Sequence, residues 1–135
     1  MTARTVAFVD HGSTQQSGHD GGPRLVAAAD AARTGLGQLA SGAAADRVFI
    51  GVFAGTQRTG GYSVRVEKIE RERDRLVVHA RFVAPSPGML TIQVITSPAQ
   101  LVSIAASDAS GVREAVLVDE TGTERDRTSL SARGP

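Results

Sequence analysis

The chain has no cysteine, no tryptophan and a single tyrosine, and aromatics make up 4% of its 135 residues. Without cysteine there are no disulfides and no thiolate metal sites, and the redox compartment gets no vote. With so few rings, the core has to be built from Val, Ile, Leu and Ala, with Phe8, Phe49, Phe53, Phe82 and Tyr62 as its large pieces. Of fifteen basic residues only Lys68 is lysine, and the formal net charge is +1. That balance argues against a phosphate-tracking surface, since nucleic-acid binders carry a basic stripe. No apolar run approaches a membrane span or a signal-peptide core; the longest near the start is Val6–Val9. The chain as given therefore reads as a protein without an export signal or membrane span.

The length fits one domain that can bury a core unaided. Residues 1–120 read as that domain and 121–135 as a polar, flexible tail, because no apolar periodicity continues past Val118. Val6–Val9 reads as a short strand, followed by a polar loop from Asp10 to Gly22. Pro23 then stands where a first helical residue would. Leu25, Val26, Ala29, Ala32, Leu36 and Leu39 fall on one helical stripe that frays near Ala40, with Gly35 and Gly37 weakening it. After Ser41–Asp46 the period becomes two. Val48–Phe53 is dense enough for a buried central strand. Tyr62 to Ile69 and Leu76 to Val83 alternate around the charged hairpin Glu70–Arg75, and the broken parity at Ile69 suggests a bulge nearby. Leu90, Ile92 and Val94 suggest another strand ended by Ser97-Pro98; Leu101–Ile104 and Val112–Val118 follow. The expected architecture is α+β: an antiparallel, sandwich-like meander covered on one face by one N-terminal helix.

This meander would put the loop Thr56–Gly61 and the turn Ala84–Gly88 at one end of the sheet. Paired glycines before a strand, and a Pro-Ser-Pro-Gly turn, leave backbone exposed with little side-chain bulk, a surface that another chain can approach closely. The partner-binding candidates are Arg58, Thr59, Gly60, Gly61, Tyr62, Pro85, Pro87 and Gly88, with Arg58 and Tyr62 as side-chain anchors.

Enzymatic chemistry finds little support. His11 and His19 stand near Asp10 and Asp20, but their spacing matches no metal-ligand motif and reads as a solvated loop. Ser13 and Ser17 lack a Gly-x-Ser-x-Gly elbow. Gly18–Pro23 is not followed by Gly-Lys-Ser/Thr, so it is no phosphate cradle. His79 reads as a half-buried structural residue, and Glu67, Glu70 and Glu72 as a solvated edge. Gln93 and Thr96, polar within an apolar stretch, read as hydrogen-bonding a neighbouring loop. No catalytic residue, metal site or cofactor is assigned, and the expected function is non-enzymatic protein binding.

The order Gly55, Arg-Thr-Gly-Gly-Tyr-Ser-Val at 58–64, Pro-Ser-Pro-Gly at 85–88 and Thr-Ile-Gln-Val-Ile-Thr-Ser-Pro at 91–98 resembles the C-terminal domain of the protease-complex subunit PrcB family. The resemblance spans about Val6 to Ile104. It implies a small bacterial non-catalytic protein, often exported, that works as an accessory or stabilising partner of a protease or envelope protein. The segment after Ile104 is additional to that pattern. Arg58–Tyr62 is also similar to the Thr-Gly-Tyr-type loop of chagasin-like cysteine-protease inhibitors, which would imply inhibition through the same loop. Those inhibitors' Arg-Pro-Trp loop has no counterpart in a chain without tryptophan.

Overall fold

A computed structural model describes residues 3–40, 46–86, 88 and 93–130. Its strands are β1 (Arg4–Val6), β2 (Val9–Thr14), β3 (Arg24–Ala28), β4 (Arg47–Phe53), β5 (Ser63–Glu72), β6 (Arg75–Val83), β7 (Ala99–Ala105), β8 (Glu114–Val118) and β9 (Glu124–Ser129). They form two sheets, a five-stranded one in the order β1-β5-β6-β8-β9 and a four-stranded one in the order β2-β7-β4-β3. All neighbours are antiparallel except β6 and β8, which run parallel because the chain visits the other sheet as β7 in between. The inner faces meet in one core, with Ile50 and Ile104 from the smaller sheet and Ile69, Leu76, Val78 and Leu117 from the larger.

The α+β expectation is wrong: among the described residues the chain is nearly all strand, and no N-terminal helix covers a sheet. The stripe assigned to a helix begins instead as β3, paired residue by residue with β4 from Arg24↔Phe53 to Ala28↔Phe49. Over this short stretch the faces alternate. Leu25 and Ala27 pack into the shared core, while Val26 joins the outer cluster. Pairing with the central strand outweighs the helix propensity of an Ala-rich segment, which is only a weak prior. Beyond β3 the backbone makes two short 3₁₀ turns, Ala31–Thr34 and Gly37–Leu39. Asp30 caps the first, its Oδ1 accepting the Arg33 N–H at 3.1 Å, and Gly35 ends it at φ 85°. Leu36 and Ala40 from these turns bury Phe49, Phe53 and Leu101 on the outer face of the smaller sheet. β4 is thereby covered on both faces, as its unbroken apolar run suggested.

Other expectations shift as well. The first part of the loop expected over Asp10–Gly22 is β2, which pairs with β7. The strand expected over Leu90–Val94 is not formed where the chain is described: residues 89–92 lie outside the described set, and Val94 is exposed outside any strand. The tail expected from residue 121 contains β9, paired with β8 from Glu114↔Ser129 to Val118↔Glu124, and Leu130 is buried beyond it. β9 escaped the periodicity test because it is a charged strand, Glu-Arg-Asp-Arg-Thr-Ser, at the sheet's edge, where charge discourages edge-to-edge pairing. Asp126 also closes the neighbouring edge, its Oδ2 accepting the Leu25 N–H at 2.7 Å.

The hairpin of β5 and β6 runs as expected, turning at Arg73-Asp74. Its register slips between Val66 and Lys68, a bulge close to the parity break at Ile69. β1 pairs with β5 only over Ile69–Arg71. Beyond that stretch the Val66 N–H donates to Oε1 of Gln100 at 2.6 Å, a buried glutamine reaching across from β7. An amide without a partner there would cost about 1–3 kcal/mol, so Gln100 ties the two sheets together with a polar contact.

Candidate partner-docking site

Three chain segments meet at the start of β5. Leaving β4, Ala54 donates its N–H to Pro98 O at 2.9 Å, and Gly55 takes φ 93°. Gln57 and Thr96 exchange two backbone hydrogen bonds, each of 2.8 Å. The buried Thr96 hydroxyl also donates to Thr59 O at 2.9 Å. Gly61 takes φ 92°, a left-handed conformation open to glycine at little cost. Tyr62 O then accepts from Gln15 Nε2 at 2.9 Å as the chain enters β5. The residues after β2 complete the arrangement: Ser97 donates its N–H to Gln15 O at 2.7 Å, and Gly18 N–H donates to Ser97 Oγ at 3.0 Å. The loop from residue 57 to 62 is thus held at both ends by neighbours that do not themselves belong to a long strand.

Ser63 pairs with Val83, so the loop entering β5 and the turn leaving β6 depart from the same end of the hairpin. Arg58 and Gly61 are exposed, and Thr59, Gly60 and Tyr62 are half-buried. In the turn, Pro85 is half-buried and Gly88 is exposed at φ 84°; Pro87 lies outside the described residues. Thr96 hydrogen-bonds the loop, in the manner its polarity suggested, whereas Gln93 is exposed.

Sequence reasoning missed the apolar surface beside the loop. Val83, Val94 and Ile95 are exposed large hydrophobics, Ile95 at 66%. Val83 stands opposite Ser63, and Ile95 directly precedes Thr96, the residue bonded to the loop. Val94 alternates with Leu90 and Ile92 in the sequence, a pattern that gives no hint of exposure.

The histidines and the acids of the outer face make local contacts. His11 Nε2 is hydrogen-bonded to Ser103 Oγ at 2.7 Å, and Arg47 Nε donates to the same hydroxyl at 2.8 Å. Ser103 is fully buried, which leaves no access for a substrate to a serine nucleophile there. His19 Nε2 meets Gly22 O at 3.0 Å, and its ring lies edge-on to Phe53. No group of His, Cys, Asp and Glu among the described residues has the arrangement of a metal site. On the outer face of the larger sheet, His79 Nε2 is 2.8 Å from Glu70 Oε1, and Arg81 Nε donates to Glu67 Oε2 at 3.0 Å. An open depression of about 370 Å³ lies beside them, lined by Glu67, Lys68, His79 and the turn 119–122. Asp119 in that turn is held down to a pKa of about 2. The Thr121 hydroxyl is the largest cause, with Arg125 and the Thr121 and Thr123 amides adding to it against the cost of desolvation. Glu120 is lowered too, first by the Phe82 N–H that it accepts. These acids cap backbone and neighbours, and none stands free as an acid or base.

The fold and the site define a two-sheet β domain carrying one pinned, glycine-rich loop beside exposed aliphatic side chains. Residues 48–105 match the family model described as PrcB C-terminal, so this stretch of the chain is similar to that domain. The match runs from β4 to β7 and includes every partner-binding candidate; it begins at Val48 rather than near Val6. No curated protein and no solved structure matches the chain. Among the described residues no helix is long and apolar enough to cross a membrane.

Proposed function

We propose that the protein is a non-enzymatic interaction module, an accessory or stabilising partner of a protease or envelope protein. It docks through the end of the sheet formed by Arg58–Tyr62 and the turn at Pro85–Gly88. Support for a protease-associated role comes from the PrcB C-terminal match. The observation that carries the docking surface is the exposure of Val83, Val94 and Ile95 on the segments flanking the loop. Exposed aliphatic residues scattered singly are ordinary, but several gathered around a pinned loop have the character of an interaction site. Backbone groups freed at Gly60 and Gly61 would supply hydrogen bonds, with Arg58 and Tyr62 as anchors.

The test is affinity capture from the source cells with tagged wild type and a Gly60→Val/Gly61→Val variant shown by circular dichroism to be folded. A protease or envelope protein retained by wild type and lost by the variant supports the reading. Equal capture by both places the function elsewhere. Adding purified wild type to the captured protease separates the roles: an accessory partner leaves or raises activity, whereas an inhibitor of the chagasin-like kind lowers it.

A further inference from the structure

Arg65 and Arg81 stand directly opposite each other on β5 and β6, and both are exposed. Residues opposite each other in an antiparallel pair project to the same face, with Cβ atoms about 4.5–5.5 Å apart, and like charges there are destabilising. Arg81 is compensated by Glu67, at 3.0 Å. Among the described residues, neither Arg65 nor Arg58 forms an ion pair, although Arg4, Arg33, Arg75, Arg113, Arg125 and Arg127 all do. Arg24, Arg47, Arg71 and Arg73 form none either, and Arg71 likewise faces Arg4 across β1 and β5, but Arg47 and Arg71 donate instead to serine or backbone oxygens. Arg65, two residues from Ser63, and Arg58, in the loop itself, both lie at the end of the hairpin that carries the loop. Val83, beside Arg81 on the same face two residues along, brings the exposed aliphatic surface next to them.

Folding gains nothing from two arginines face to face, whereas a carboxylate arriving from outside would neutralise them. A guanidinium presents a planar fork that fits a carboxylate with two parallel hydrogen bonds. We propose that the docking end takes an acidic peptide segment of its partner, one that sets carboxylates against Arg65 and Arg58 and an apolar side chain on Val83 and Ile95. The proposal rests on the docking reading above and adds the chemistry of the partner to it. Charge would steer the encounter, and the aliphatic contact would hold it.

A displayed library of short random peptides, selected on the full chain, tests this. The expected winners are rich in Asp and Glu interleaved with Leu, Ile or Phe, and weaken as salt rises. Arg65→Glu should lower their affinity on the order of tenfold, and it should not lower the melting temperature, since it places an opposite charge across from Arg81. Ile95→Ser should also weaken them. Neutral or basic winners that still depend on Ile95 would overturn the acidic partner while leaving the docking end in place. Winners indifferent to both substitutions would overturn both. A selection with no winners would likewise count against an acidic peptide as the occupant.

Discussion

Gly55 and Gly61 share a backbone conformation, at φ 93° and 92°, and sit six residues apart in the same loop, yet they answer to different needs. Gly55 is buried against another stretch of backbone: a Cβ there would lie 2.5 Å from Gly21 O and 2.9 Å from Gly22 C. Gly61 is exposed, in the part of the loop facing solvent between Thr59 and Tyr62. One glycine lets the loop pack against the connection between β2 and β3, and the other shapes what the loop presents. The same contrast separates the two sheets. β4 and its neighbours are covered on both faces, while the outer face of the larger sheet carries polar pairs, His79 with Glu70 and Arg81 with Glu67, and ends in a partly unneutralised arginine pair. The contrast teaches that the same residue type can serve packing at one position and presentation at another, and that its surroundings decide between them.

The comparison breaks most sharply at Gly55. Gly55→Ala adds the strain of a left-handed conformation to an overlap with fixed backbone, and is expected to cost about 2–5 kcal/mol; chemical denaturation measures it. Gln100→Leu comes next, at about 1–3 kcal/mol in the same experiment, because it leaves the Val66 N–H buried without its acceptor. Gly61→Val meets the strain of its left-handed conformation, about 1–2 kcal/mol, and should abolish partner capture. If Gly61→Val were as destabilising as Gly55→Ala, the division between packing and presentation would not hold. The smallest stability effect belongs to Arg65→Glu, a gain of about 0.2–1 kcal/mol from the cross-strand pair it makes with Arg81.

A pH series sharpens the outer-face side of the comparison. The folded pKa of Asp119, about 2, lies below the ordinary carboxylate value. Its contribution to stability is therefore present above the unfolded pKa, near 4, and is lost as pH falls through about 2. Asp119→Asn should lower the melting temperature at neutral pH, and the gap from wild type should close near pH 2. A gap that stayed constant over that range would remove the ionised carboxylate as the cap of the β8–β9 turn.

How much of this was legible in the sequence depends on how far each signal reaches along the chain. β4 was visible because both of its faces are apolar, and the hairpin because two alternating runs flank a charged turn. The glycines before β5 announced a special backbone, and Gly61 has one. β3 was misread because Leu25, Val26 and Ala29 suit a helical stripe as well as a strand, and only pairing with β4, more than twenty residues on, decides between them. β9 was missed because an edge strand needs no apolar alternation when its backbone pairs with β8 and charge guards its free side. At the candidate site, Arg58 to Tyr62 could be picked out from their local pattern. Val83, Val94 and Ile95 could not, since an exposed aliphatic residue and a buried one look alike in a sequence. The Arg65–Arg81 pair depends on the β5–β6 register, which the bulge at residue 67 shifts by one position.

The most direct test of the docking end is site-specific photo-crosslinking in the source cells. One copy of the protein carries the photoreactive side chain at Ile95, beside the loop, and another carries it at Arg73, at the opposite end of the β5–β6 hairpin. The account expects a discrete protein crosslinked from position 95 and none from position 73, with the crosslink lost in Gly61→Val. The same adduct from both positions, or one from position 73 alone, would contradict it.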